Sequence, residues 1–150
     1  MKEYIKNFDS WNSLKKKNDI EETDQKLYFY EREVWWCSLG VNIGIESDGK
    51  NNNFERPVLI VKKFNGEMIW VLPLTSKEKK GEFFQKIDHE TGVSWVNLSQ
   101  IRTISTKRLL RKIGMISEQE FLEVIRKLGE YIKIGPRLSS GPSEAEATNV

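Results

Sequence analysis

An arginine and a threonine stand at matching positions on two predicted strands that a tight turn connects. Arg56 stands at the start of the first strand, and Thr75 follows the end of the second. The Asn65-Gly66 pair between the strands is a strong hairpin signal, and both residues are equally distant from it. We therefore expect neighbours at the open end of the hairpin, where a guanidinium beside a hydroxyl can bind a phosphate. The sequence also allows a plainer arrangement, in which Arg56 pairs with a surface carboxylate and Thr75 caps a turn.

A second polar segment lies near the end of a long predicted strand, Val93 to Ile104. Strict alternation puts Asn97 and Ser99 on one face of this strand and Gln100 and Arg102 on the other, unless a bulge intervenes. Such side chains on a kinked strand can hydrogen-bond RNA bases or phosphates. An edge strand with a wet outer face gives the same pattern, so both interpretations stay open.

Composition removes several classes of function. The chain has 150 residues with one cysteine and one histidine, so these residues can form neither an internal disulfide nor a four-ligand zinc site. Serine and cysteine proteases need a histidine near the nucleophile, and His89 lies in a predicted exposed turn. We expect no metal site and no cofactor. We find no membrane-spanning stretch and no signal peptide, and we therefore expect a soluble, cytoplasmic protein.

The charge balance is weakly basic. Lys and Arg number 24 against 22 Asp and Glu, which gives a formal net charge of +2. This charge permits binding to a polyanion without demanding it. Basic residues cluster in three patches, at residues 15–17, 77–80 and 107–112. Each patch alone is typical of a solvated face, but the second directly follows Thr75, which favours phosphate contacts there.

The hydrophobic period changes twice along the chain and predicts a helix, then short strands, then a second helix. Residues 3–17 have large apolar side chains at helical spacing, and residues 18–26 read as a polar linker. From residue 31 the period is two, with five to seven short strands. A capping box that opens at Ser117 begins the last amphipathic helix. Short antiparallel strands favour a small barrel, because closure removes exposed sheet edges.

Three regions follow from these patterns. Residues 1–30 form an N-terminal helical extension and linker, and residues 31–135 form a barrel domain with a C-terminal helix. Residues 136–150 have no aromatic residue and many Ser, Gly, Pro and Glu, which predicts a disordered tail.

The order of short motifs resembles the MazF/PemK (Kid) family of bacterial toxins. Each motif is weak alone, but six in the right order across about residues 31 to 133 are fairly specific. The resemblance implies a mainly β (α+β) fold, an SH3-like small β-barrel of the MazF/CcdB type with a C-terminal helix, here with an extra N-terminal helix. The matching pieces are Val34-Trp35, Gly44-Ile45-Glu46, Arg56-Pro57-Val58-Leu59-Ile60, Pro73-Leu74-Thr75-Ser76, Gln100-Ile101-Arg102-Thr103 and Gly114-Met115-Ile116-Ser117.

The resemblance also implies a function, a type II toxin that cuts single-stranded mRNA without a metal. The 2′-OH attacks the adjacent phosphorus and leaves 2′,3′-cyclic phosphate and 5′-OH ends. Family matching assigns charge stabilisation to Arg56, with proton donation as a further option, a phosphoryl contact to Thr75, and the role of base to Glu46. The implied partners are single-stranded RNA, a cognate antitoxin peptide and a second copy in a homodimer. The candidate RNA-binding residues are Ser76, Lys77, Asn97, Ser99, Gln100 and Arg102.

The chain departs from the family pattern at two positions. Family members commonly carry Asp where this chain has Ser99, and Kid-like members also carry Arg where it has Asn97. Their acid/base pair is therefore missing, so either Arg56 and Thr75 suffice, the base comes from elsewhere, or activity is weak. Two alternatives to the nuclease are a non-enzymatic toxin of the CcdB type, which binds DNA gyrase, and a decayed barrel that only binds RNA or an antitoxin.

Overall fold

A computed structural model describes residues 3–22 and 27–133 of the chain. The predicted tail at 136–150, and part of the predicted linker at 18–26, lie outside these residues. The described elements are, in chain order, α1 (Phe8–Ile20), β1 (Glu33–Ser38), β2 (Glu55–Lys63), β3 (Met68–Thr75), β4 (Phe84–His89), β5 (Gly92–Asn97), β6 (Arg102–Ser105), β7 (Leu109–Met115) and α2 (Glu118–Ile132).

All strand pairs of the sheet are antiparallel, so the fold is mainly β with two helices, as predicted. The strands follow the order β4-β5-β3-β2-β1-β7, and β6 pairs with β3 outside this path. The path is open, with β4 and β7 at its ends, and the sheet is barrel-like rather than closed. The Asn65-Gly66 hairpin is present between β2 and β3. There the side-chain oxygen of Asn65 accepts hydrogen bonds from the amides of Glu67 and Met68 at 2.8 and 2.9 Å.

Strand β3 has two different partners along one edge, because the chain between β5 and β6 changes direction. Its first half pairs with β6, and Leu74 and Thr75 pair with β5. The single long strand predicted for this region is wrong, since a 3₁₀ turn, Leu98–Gln100, separates β5 from β6. The side chain of Asn97 caps this turn by accepting from the amide of Ser99 at 3.1 Å. The strict alternation expected for these residues therefore does not hold.

The core consists of two apolar clusters on the two faces of the sheet strands. One cluster contains Val34, Leu59 and Leu72 together with Val124 and Leu128 of α2. Helix α2 begins at the predicted cap, because the hydroxyl of Ser117 accepts from the amide of Glu120 at 3.1 Å. The second cluster lies among β1, β2, β3, β6 and the start of β7, and consists of Phe29, Trp35, Cys37, Leu39, Val58, Ile60, Ile69, Val71, Ile104 and Leu109.

Helix α1 begins later than predicted. The side chain of Asn7 accepts from the amide of Ser10 at 3.0 Å and caps the helix, which therefore starts at Phe8 and not at residue 3. The predicted apolar stripe is wrong, because only Trp11 of this helix is buried and Tyr4 lies before the helix. The indole packs on Gly40, which has a φ of +84° and where a Cβ would overlap the ring. This contact joins the N-terminal extension to the sheet.

Candidate active site

The predicted neighbours Arg56 and Thr75 lie at the same end of the β2–β3 hairpin. Val58 pairs with Pro73, and two residues further along each strand this register places Arg56 opposite Thr75. Both are half-buried and line one cavity of about 480 Å³. The juxtaposition inferred from the sequence is therefore present, and the roles assigned to the two side chains stay predictions.

Arg56 is held by neutral groups. Its guanidinium donates through Nε to the carbonyl oxygen of Asp48 and through Nη1 to that of Leu74, the second at 3.1 Å. These contacts use two of the five N–H donors of an arginine. Burial lowers the pKa of Arg56, while the charge of Asp48 acts in the opposite direction. An arginine remains protonated at neutral pH despite such a shift, so the cavity contains a positive charge that these two carbonyls orient without neutralising.

The loop between β1 and β2 forms one wall of the cavity and carries two carboxylates. Glu46, the predicted base, is exposed and lines the same cavity as Arg56. Among the described residues its carboxylate makes no hydrogen bond or ion pair. Asp48 is engaged instead, because it accepts from the amide of Asn42 at 2.6 Å and pairs with Lys6 at 3.2 Å. Of the two carboxylates, Glu46 is therefore the one available to a ligand.

Gln100 fixes this loop in place. Its side-chain oxygen accepts from the amide of Ser47 at 2.7 Å, and its side-chain nitrogen donates to the carbonyl of Ile45 at 2.8 Å. Both ends of the amide are thus used on either side of Glu46. Gln100 therefore supports the loop. The RNA-binding role assigned to it stays a prediction.

The other candidate RNA-binding residues are divided among neighbouring cavities. Asn97 and Lys77 line the cavity of Arg56 and Thr75, and the backbone amide of Lys77 donates to the hydroxyl of Thr75 at 3.3 Å. Ser99 and Arg102 line a different cavity that shares Glu46 and Gln100 with the first. Ser76 lines a third one, which Arg56 and Thr75 also reach. The predicted residues therefore surround Arg56 but do not all meet in one space.

His89 ends β4, and its ring is fixed by two neighbours. Nε2 lies 2.9 Å from the hydroxyl of Ser94, and Nδ1 lies 3.0 Å from that of Thr91. The turn predicted at residues 88–92 is present, since His89 pairs with Gly92 across it. Both ring nitrogens are therefore within hydrogen-bond distance of hydroxyl groups of this hairpin, and the choice of Glu46 over His89 as the base stays a prediction.

The basic residues of the third patch serve contacts within the protein. Arg111 donates through two nitrogens to the carboxylate of Glu55 at 3.0 Å each and lies over the ring of Trp36. This hydrogen bonding lowers the pKa of Glu55. Lys112 pairs with Glu33 at 3.0 Å. A carboxylate thus neutralises each of these two cations.

Two residues of the cavity wall, Tyr4 and Asp48, were missed at the level of sequence, and so was Lys6, which contacts the loop beside them. Tyr4 was included in the helix predicted over residues 3–17, and Asp48 was not among the candidate site residues. Tyr4 lines the cavity of Arg56, and Lys6 donates to the carbonyl oxygens of Asn42 and Gly44 in the loop. A polar residue such as Asn7 ahead of the apolar run was the available signal, because it marks a later helix start.

Within residues 3–22 and 27–133, no group of three His, Cys, Asp or Glu side chains is arranged to hold a metal ion. No helix in the same ranges is long and apolar enough to cross a membrane. Cys37 is fully buried, and burial raises the pKa of its thiol to about 12, so the thiol is not a nucleophile at neutral pH.

Solved structures with this fold come from MazF proteins and related enzymes. MazF from Deinococcus radiodurans is 23% identical, with a TM-score of 0.60 over 71% of this chain and 98% of that one. The MazE-MazF complex from the same organism is 20% identical, with a TM-score of 0.55 over 71% and 97% of the two chains. An endoribonuclease in complex with its cognate antitoxin, from a mycobacterial species, is 14% identical, with a TM-score of 0.54 over 72% and 98%. These likenesses confirm the predicted barrel class.

Sequence comparison identifies the family directly. No curated protein is similar enough in sequence to count as a match. A family model described as PemK-like, MazF-like toxin of type II toxin-antitoxin system matches residues 30–132. This range covers every strand and α2, and it leaves out α1 and the segment before it. The chain therefore belongs to the PemK-like and MazF-like toxins of type II toxin–antitoxin systems, which confirms the resemblance on which the endoribonuclease prediction depends.

Proposed function

We propose that this toxin is an endoribonuclease that cleaves single-stranded mRNA in the cytoplasm at the cavity of Arg56 and Thr75. The observation that carries the proposal is the state of Arg56, a cation oriented by two neutral carbonyls and placed beside a hydroxyl in an open cavity. A phosphodiester is the anion that this pair fits, since a guanidinium can contact two phosphate oxygens at once. The structurally similar mycobacterial protein is an endoribonuclease, which supports the same function for this chain.

The reaction proposed uses the substrate's own nucleophile. The ribose 2′-oxygen loses its proton and bonds to the adjacent phosphorus, and the bond from phosphorus to the 5′-oxygen breaks. The products are a 2′,3′-cyclic phosphate and a 5′-hydroxyl, after the leaving oxygen gains a proton. Charge builds up on the non-bridging oxygens in the transition state, and a fixed positive group at that place is the largest catalytic aid available. No step needs a metal ion.

Three side chains act in this scheme. Arg56 stabilises the developing negative charge, and it is also the group nearest in chemistry to a proton donor for the leaving oxygen. Thr75 donates its hydroxyl proton to a phosphoryl oxygen. Glu46 accepts the proton of the 2′-OH, because the neighbouring carboxylate of Asp48 is already engaged with Asn42 and Lys6. Lys77 in the same cavity contacts a flanking phosphate.

The positive charges of the cavity also bear on the partners that we propose. A cognate antitoxin is the partner that a toxin of this family requires. We expect an acidic, apolar antitoxin segment to bind near Arg56 and Lys77, partly through charge. We also propose a homodimer as the working form, and single-stranded RNA as the substrate.

The test is RNA cleavage in the presence of EDTA. Purified protein is incubated with single-stranded RNA, and the product ends are identified by their reactivity with phosphatase and kinase. We expect cyclic phosphate and 5′-hydroxyl ends, no effect of EDTA, and loss of cleavage in Arg56→Ala. Glu46→Gln should lower the cleavage rate by roughly 10²- to 10⁴-fold, as loss of a general base does, whereas Glu67→Gln, a change in the β2–β3 turn, should not. Intact RNA together with inhibited gyrase would instead support a gyrase-binding toxin.

A further inference from the structure

The segment before α1 reaches the cavity although it lies outside the residues that match the family. Lys6 donates to the carbonyl oxygens of Asn42 and Gly44 and pairs with Asp48 at 3.2 Å. Three acceptors of one loop therefore hold one ammonium group. The contacts with the loop that carries Glu46 occupy the ammonium group. Lys6 therefore fixes the segment in position and is not available to bind a phosphate.

Helix α1 holds the other end of this segment against the sheet. Trp11 packs into the space above Gly40, and the guanidinium of Arg108 lies 5.6 Å from the indole ring. Near the end of the helix, Asn18 donates to the hydroxyl of Ser38 at 3.1 Å. Lys107 also donates to the backbone carbonyl of Asp19 at 2.7 Å. The segment of Tyr4 and Lys6 is therefore fixed at both ends, on the loop and on the sheet.

Tyr4 presents its ring at the mouth of the cavity. The hydroxyl donates to the Oδ2 atom of Asp48 at 3.3 Å, while 65% of the residue is exposed. The residue lines the same cavity as Arg56 and Thr75. Burial of the phenol and the charge of Asp48 raise its pKa, so the ring stays neutral near a bound phosphate. The hydroxyl is thus bonded to the loop, while most of the residue is exposed beside the cavity.

We propose that Tyr4 is a base-binding residue of the RNA site, on which a nucleotide next to the cleaved phosphate stacks. The proposal rests on the nuclease function proposed above. A phosphate held by Arg56 leaves the attached bases at the rim of the cavity, where Tyr4 lies. Aromatic side chains at such positions bind unstacked bases in single-stranded RNA. The N-terminal extension thereby adds to the site a residue that affects substrate affinity and sequence preference.

The test measures binding without cleavage, so it does not depend on the nuclease activity. The probes are short single-stranded oligonucleotides with 2′-O-methyl riboses throughout and one 2-aminopurine base at successive positions. The variants are Tyr4→Ala, Tyr4→Phe and the control Tyr28→Ala. Tyr28 is a similarly exposed tyrosine that lines another cavity. Circular dichroism checks that the fold is retained.

We expect Tyr4→Ala to weaken binding by roughly 5- to 150-fold, the range that loss of one stacked base gives. The quenching of 2-aminopurine at one position should disappear with the ring. Tyr4→Phe, which keeps the ring and loses only the bond to Asp48, and Tyr28→Ala should both bind like the unaltered protein. Unchanged affinity in Tyr4→Ala overturns the proposal, and so does a Tyr4→Phe variant as weak as Tyr4→Ala, because the hydroxyl and not the ring would then matter. If the unaltered protein binds RNA through Tyr4 yet does not cleave it, only the nuclease function fails.

Discussion

Two arginines on strands of the same sheet have opposite electrostatic surroundings. Arg56 on β2 donates to the carbonyl oxygens of Asp48 and Leu74, while Arg111 on β7 donates to the carboxylate of Glu55. Both line one of the cavities near Thr75. The first guanidinium is oriented and keeps its net charge, whereas the second is oriented and neutralised.

The difference shows how a basic residue that can bind an anionic ligand is distinguished from one that serves the structure of the protein. Hydrogen bonds that a guanidinium donates to carbonyl oxygens fix its geometry and leave its charge available to an anion. A paired carboxylate cancels that charge at short range, and the pair then serves local structure. Counting basic residues along the sequence, as in the patch at 107–112, cannot separate these cases. The acceptor atoms separate them, and they favour Arg56 as the phosphate site.

The largest effect that follows from this comparison is on catalysis. Arg56→Gln should lower kcat by roughly 10²- to 10³-fold, because removal of one fixed donor to a developing charge has that cost. Arg111→Gln, the matched change in the neutralised arginine, should stay within a factor of about 3, since surface ion pairs contribute little. Single-turnover cleavage of a labelled RNA measures both. Equal losses in the two variants would contradict the assignment.

Thr75 should contribute a smaller part of the same contact. Thr75→Val keeps the shape of the side chain and removes its hydroxyl, so cleavage should slow by roughly 2- to 10-fold, as expected for one neutral hydrogen bond. Thr91→Val is the control, because Thr91 lies in the cavity that Arg111 lines and contacts His89. An effect of Thr91→Val as large as that of Thr75→Val would move the site towards Arg111.

Removing the carboxylate of Glu55 should make the two arginines more alike. In Glu55→Gln the charge of Arg111 is no longer neutralised, so the salt dependence of RNA binding should steepen by up to about one in log–log slope. Loss of the pair should also lower the Tm by roughly 2–4 °C. Fluorescence anisotropy at several salt concentrations and thermal melting measure these effects. An unchanged slope would show that Arg111 lies beyond the path of the RNA.

The smallest effect expected is on stability in acid. Arg111 holds the pKa of Glu55 below its ordinary value, which in an unfolded chain is about 4.3. The folded carboxyl therefore binds its proton less readily, so the stability it contributes is present above this pH and is lost as the pH falls through the folded value. Thermal melting between pH 3 and 6 should show a flatter acid decline in Glu55→Gln than in the unaltered protein. Parallel curves would show that other carboxyl groups dominate.

The sequence was sufficient for the sheet and for the pair at its edge because both depend on short-range rules. A hairpin turn fixes the register, and the register fixes which residues face each other, so Arg56 and Thr75 could be placed without coordinates. The cap of α2 at Ser117 is equally local. The family motifs added the identity of the barrel, which alternation alone does not specify.

The N-terminal part of the site could not be predicted in the same way. The start of α1 depends on Asn7, and apolar spacing alone extended the helix back to Tyr4. The ion pair of Lys6 and Asp48 joins the segment before α1 to the β1–β2 loop, and the two residues are 42 positions apart. Neither segment is periodic, so no periodic pattern encodes this contact. The 3₁₀ turn after Asn97 was missed for a similar reason, because a side-chain cap interrupted a segment that otherwise alternates like a strand.

The bare backbone at Gly40 has a consequence for how the extension and the sheet depend on each other. Any larger residue there would both strain a chain with a φ of +84° and displace the indole of Trp11. Helix α1 would then lose this contact with the sheet, and the segment of Tyr4 and Lys6 would depend on its contacts with the loop. One methyl group at position 40 would thus loosen the N-terminal extension, with no residue deleted.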